Sequence, residues 1–127
     1  VPPEVHWDIA SDVVFGRAVG FTTVPTKYAG DKFFVQFDVL ESLKGDLNGT
    51  INIRVHPETE TTIPAGYGYV VSLFDDGELD LCSKVFNMPY NIDTVEDLLD
   101  HAQREDYYLP AKAEYLREFL RLGGLFP

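Results

Sequence analysis

Apolar and polar residues alternate with a period of two through most of the first two-thirds of the chain, as in strands with one buried and one wet face. Phe33, Val35, Phe37 and Val39 alternate with Phe34, Gln36, Asp38 and Leu40, and Ile51, Ile53 and Val55 with Asn52, Arg54 and His56. Asp12–Phe21 is apolar almost throughout, with Gly16 and Gly20 where a strand would bend or coil tightly. Tyr67–Phe74 reads as a further strand, continued across Asp75-Asp76-Gly77 into Glu78–Cys82 as a tight hairpin. Lys44-Gly45-Asp46-Leu47-Asn48-Gly49 is another turn. Five short strands joined in this way predict a five-stranded antiparallel barrel of OB type, closed or nearly so.

The period changes in the last third. Asp93-Thr94-Val95-Glu96 has the form of a capping box, and Leu98, Leu99 and Ala102 follow at helical spacing. Pro110 suits the first turn of a second helix, which carries Leu116, Phe119 and Leu120 on one face and stops at Gly123-Gly124. The expected organisation is a single domain over 1–127, with a β-barrel over 1–90 and a helical extension over 93–124 packed on it. Tyr107, Tyr108, Leu125 and Phe126 fit either that packing or an exposed interface.

Composition narrows the functional classes. The 127 residues are 45% hydrophobic, which suits a packed core, and no apolar run reaches the roughly 18 residues of a membrane span. The formal net charge is -11, spread along the whole chain. Such a surface repels phosphate backbones, so nucleic acid is not expected as a partner, although small barrels with surface aromatics often bind single strands.

Candidate chemistry is sparse. His6, His56 and His101 lie far apart without metal-ligand spacing, and no cofactor is expected. The carboxylates of Asp75-Asp76-Gly77-Glu78-Leu79-Asp80 suit a hard cation but lack a complete calcium loop, and a solvated hairpin tip accounts for the same residues. Nucleophile elbows, phosphate loops and dinucleotide fingerprints are missing, so the expectation is a non-catalytic protein. Asn48-Gly49-Thr50 fits a glycosylation acceptor and carries no functional reading here. The lone Cys82 is open to three readings: a buried apolar side chain, a reactive thiol, or one half of a disulfide.

The order of several segments resembles the tissue inhibitors of metalloproteinases and their bacterial relatives. Val1-Pro2-Pro3 followed by Ser11-Asp12-Val13-Val14-Phe15-Gly16-Arg17-Ala18-Val19 is similar to the family's opening. Phe37-Asp38-Val39-Leu40-Glu41-Ser42-Leu43-Lys44-Gly45 is similar to its second strand and turn. Leu73-Phe74-Asp75-Asp76-Gly77-Glu78-Leu79-Asp80-Leu81-Cys82-Ser83 resembles its last hairpin, and Pro89-Tyr90-Asn91 precedes the helix as it does there. The likeness spans roughly residues 1 to 107 and implies a netrin-like domain, an OB-type barrel that is secreted, periplasmic or displayed at the cell surface. A lipid anchor upstream of Val1 is compatible with it.

In the animal inhibitors Cys-x-Cys stands directly before a segment like Val1-Pro2-Pro3. The resemblance implies that the first cysteine chelates a protease zinc and that the second pairs with the position of Cys82. The loop His56–Gly66 has no cysteine where the family keeps one. The expected function is therefore a netrin-like protein-binding module without catalytic activity. Its partner is a protein, with a metalloproteinase as one candidate. By analogy its binding edge comprises Val1, Pro2, Pro3 and Glu4 with His56, Pro57 and Glu58. The alternative is a true zinc metalloproteinase inhibitor whose Cys-x-Cys lies ahead of Val1.

Overall fold

The computed structural model describes residues 2–28, 30–56, 63, 65–88, 91–104 and 110–126, without the side chains of 83, 84 and 110–112. Among these residues the elements run α1 (Pro3–Ile9), β1 (Asp12–Val24), β2 (Lys32–Lys44), β3 (Gly49–Val55), β4 (Gly68–Asp75), β5 (Leu79–Met88), α2 (Val95–Gln103) and α3 (Pro110–Leu122). The strands form a closed barrel in the order β1-β2-β3-β5-β4.

The all-antiparallel expectation needs correction. β3 and β5 run parallel, joined at Ile53↔Leu79 and Arg54↔Asp80, while the other four neighbour pairs are antiparallel. Parity is the physical reason. Strand directions can alternate around a closed ring only when the number of strands is even, so a ring of five must contain a parallel pair.

Two apolar clusters fill the molecule. Val14, Ala18, Val35, Phe37, Ile53, Tyr69, Val71 and Leu73 occupy the barrel interior. Val13, Phe15, Val70, Phe86 and Met88, which alternate with inward residues, join Leu98, Leu116, Phe119 and Leu120 of the helices in a second layer. Strand β1 is therefore buried on both faces over its first half, and this explains its unbroken apolar run. Leu125 and Phe126 pack partly buried against the second layer.

At Gly16 the β1–β2 ladder shifts register, and a β-carbon there would lie 2.1 Å from the backbone oxygen of Asp38. No other residue fits this close approach, which lets β1 coil around the barrel. Gly20 adjoins another register shift but has ordinary room, with its nearest neighbour at 3.5 Å.

Each helix is tied to the barrel or to its neighbour. Thr94 caps α2 by accepting the Asp97 N–H at 3.1 Å. The Arg117 side chain of α3 donates to the carbonyls of Ala102 and Arg104 at the end of α2. Helix α1, which alternation did not reveal, starts with Pro3 in its first turn and packs on α3. There His6 Nδ1 shares a hydrogen bond with the Tyr115 hydroxyl, and Trp7 meets Phe119 edge-on at 5.8 Å.

Candidate protein-binding surface

The residues expected to form the binding edge fall into two places. His56, exposed, directly follows β3. The pairs Phe33↔Val55 and Val24↔Lys32 set it abreast of Lys32, at the base of the β1–β2 loop. Pro3 and Glu4 lie in the first turn of α1 with Pro2 as its cap, and α1 enters β1 at Asp12, the opposite end of that strand. Val1, Pro57 and Glu58 lie outside the described residues.

The β1–β2 loop shapes the end where His56 stands. Thr26 closes it, donating both its N–H and its hydroxyl to the carbonyl of Gly30, whose φ of 74° favours glycine. The closure presents Tyr28 at the tip, 90% exposed, with Lys27 Nζ 5.4 Å from the ring centre. Val24, at the loop's base, is also an exposed apolar side chain. The far end of the loop after β3 is anchored: Ile63 is buried in the barrel interior, and the Gly66 N–H donates to the Ala18 carbonyl at 2.7 Å. Tyr28 has no periodic signature in the sequence, because its exposure depends on where the loop closes.

Cys82 is a free, buried thiol on β5. It lies close enough to Tyr115 to act on it electrostatically. Burial pushes the Tyr115 phenol above its usual value, and smaller electrostatic contributions from Glu4 and Cys82 act in the same direction. His6 of α1 is hydrogen-bonded to the same tyrosine.

The acidic hairpin is organised by its own residues. Gly77 takes a φ of 100° at the turn. Glu78 is held by Lys32 at 3.0 Å and by Arg54 at 3.7 Å. Burial raises Asp80 above the usual carboxylate range, aided by its hydrogen bond with Asp76 and by the charges of Asp76 and Glu78, against the pull of Arg54. On α3, hydrogen bonds from Arg117 and Arg121 lower Glu114. These are local couplings on a hairpin and a helix face.

Among the described residues no group of three or more His, Cys, Asp or Glu side chains gathers as a metal site, and no helix is long and apolar enough to cross a membrane. One end of the barrel carries an aromatic tip, a flanking cation and an exposed imidazole. No family model matches the chain, and no curated protein compared with it does either.

Proposed function

We propose that this chain is a netrin-like, OB-type protein-binding module without catalytic activity, working in a secreted, periplasmic or cell-surface setting. The strand order β1-β2-β3-β5-β4 with a parallel β3–β5 closure supports the OB-type reading. The observation that carries the binding reading is Tyr28, 90% exposed on a loop closed by Thr26 and Gly30. Tyrosine gives a large contact area with few rotatable bonds, and held in a closed loop it loses little freedom on docking. His56 stands at the same end of the barrel, so this half of the expected edge acquires an anchor residue.

The test is capture of binding partners from an extracytoplasmic fraction by the full chain, alongside the Tyr28→Ala and His56→Ala variants. A single partner whose affinity falls about tenfold or more with Tyr28→Ala supports the proposal. A partner bound equally by both variants overturns this surface. Turnover in a broad hydrolase screen, abolished by an Asp or Glu substitution, overturns the non-catalytic reading.

A second reading, zinc metalloproteinase inhibition, rests on the resemblance of Val1-Pro2-Pro3 and of the hairpin ending in Cys82-Ser83 to the inhibitors. Extending the chain with Cys-x-Cys and titrating zinc endopeptidases separates the two: stoichiometric inhibition supports the second reading, and its absence leaves the binding module.

A further inference from the structure

The flank of α1 away from Trp7 carries two large apolar side chains one turn apart, Val5 at 44% and Ile9 at 50% exposure. The buried face of the helix is made by His6 and Ala10, and Trp7 turns toward β2, where Lys44 Nζ lies 5.8 Å from its ring centre. The opposite flank therefore borders β4. Phe74, 38% exposed, follows Leu73, whose carbonyl accepts the Ser11 N–H at 2.8 Å, two residues past Ile9. Leu73 points into the barrel, so Phe74 emerges on the outer side, the side that carries the helices.

The rim of this patch is acidic. Glu4 and Asp8 are exposed on α1, and Asp75 and Asp76 are exposed on the hairpin beyond Phe74. None of these four takes part in an ion pair among the described residues, whereas Lys32 and Arg54 are engaged with Glu78. Asp80, paired with Phe74 across the β4–β5 ladder, shares a hydrogen bond with Asp76.

We propose that Val5, Ile9 and Phe74 form a second docking surface, taking a basic, apolar peptide segment of a partner protein. Two or three apolar side chains of the segment would cover these residues while its lysines or arginines meet the rim. Charge selects this occupant. A second copy would set one acidic rim against another, and an anionic lipid surface is repelled for the same reason. Val5 and Ile9 lie at the Asp12 end of β1, while the hairpin beyond Phe74 reaches Lys32 at the base of the Tyr28 loop through Glu78. The variants below leave Tyr28 and His56 intact, so the two proposals fail separately.

The test uses the full chain and a synthetic helical peptide of leucine and lysine, with a leucine–glutamate peptide of the same pattern as control. Binding is read by fluorescence anisotropy and by amide shifts at several salt concentrations. The lysine peptide is expected to bind, and the glutamate peptide is not. An Ile9→Ser/Phe74→Ser variant keeps the net charge of -11 and is expected to bind about tenfold more weakly. Glu4→Gln/Asp8→Asn is expected to weaken binding, and Asp46→Asn/Asp100→Asn, an equal charge change elsewhere, to leave it unaltered. Shifts should concentrate on α1 and residues 73–76. Equal binding by Ile9→Ser/Phe74→Ser, or equal loss with either charge pair, would reveal diffuse attraction to an acidic protein and overturn the proposal. Self-association through α1 would overturn it in favour of a second copy, and retention on anionic vesicles in favour of a lipid surface.

Discussion

The ammonium group of Lys44 donates to the carbonyls of Trp7 and Ala10, each at 2.6 Å, and so fastens the end of α1 to the end of β2. These carbonyls belong to the C-terminal turn and cap of a seven-residue helix, a length that is not stable alone in water. A cation at a helix C-terminus also meets the negative end of its dipole. Helix α1 is thus held by one lysine and by its contacts with α3 and β4.

Replacing Lys44 by methionine keeps the apolar stem beside Trp7 and removes both hydrogen bonds. The expected loss is about 1–2 kcal/mol, since water can reach the freed carbonyls. Urea denaturation measures it, and α1 amides should exchange faster while the barrel strands keep their protection.

Gly16→Ala is expected to cost at least about 3 kcal/mol, because its β-carbon would overlap the Asp38 backbone oxygen, which cannot move without breaking the ladder. Gly20→Ala meets only the far end of Gln36 and should change stability by less than about 1 kcal/mol. The contrast between the two midpoints is the decisive reading.

The pattern of apolar positions made the strands and the two C-terminal helices legible, because β2, β3 and the helices bury one face and leave one wet. Strands β1 and β4, buried on both faces over much of their length, read as apolar runs. Helix α1 was not legible. Its seven residues give little periodic signal, and Pro2-Pro3 reads as a stiff end as readily as a helix start. The parallel seam was equally hidden, since alternation reports faces and not neighbours. Of the candidate site, His56 enters through the family resemblance, and alternation fixes only its place at the end of a strand. Tyr28, Val5, Ile9 and Phe74 could not, because an exposed apolar residue is recognised only by what fails to cover it.

Asp80 provides a prediction in pH. Its folded value lies above the ordinary 3.8, mainly through burial and then through Asp76. A carboxyl raised on folding has its full stability contribution below the ordinary value and loses it as pH climbs through the raised one. Asp80→Asn should therefore match the parent at pH 3 and melt higher at pH 7. The gain stays below about 1 kcal/mol because the hairpin is in contact with water. Equal melting temperatures at both pH values would contradict the assignment.

Cys82 is 2% exposed. A thiol reagent should modify it at least about a hundredfold more slowly in the native protein than in the unfolded chain, reaction requiring a local opening. Tyr115→Ala removes a ring packed near Phe86 and Phe119 and should accelerate the modification. A native rate equal to the unfolded rate would show that this wall of β5 opens freely.

The parallel seam, imposed by an odd number of strands, consists of two residue pairs, while β1 and β2 are joined along eleven. Mechanically the barrel is a rolled sheet with one short weld. Glu78, bridging Lys32 and Arg54 across β2, β3 and the hairpin, works as a rivet beside that weld. Thermal breathing would part the cylinder along this line first, giving water its shortest way to Ile53 and the interior.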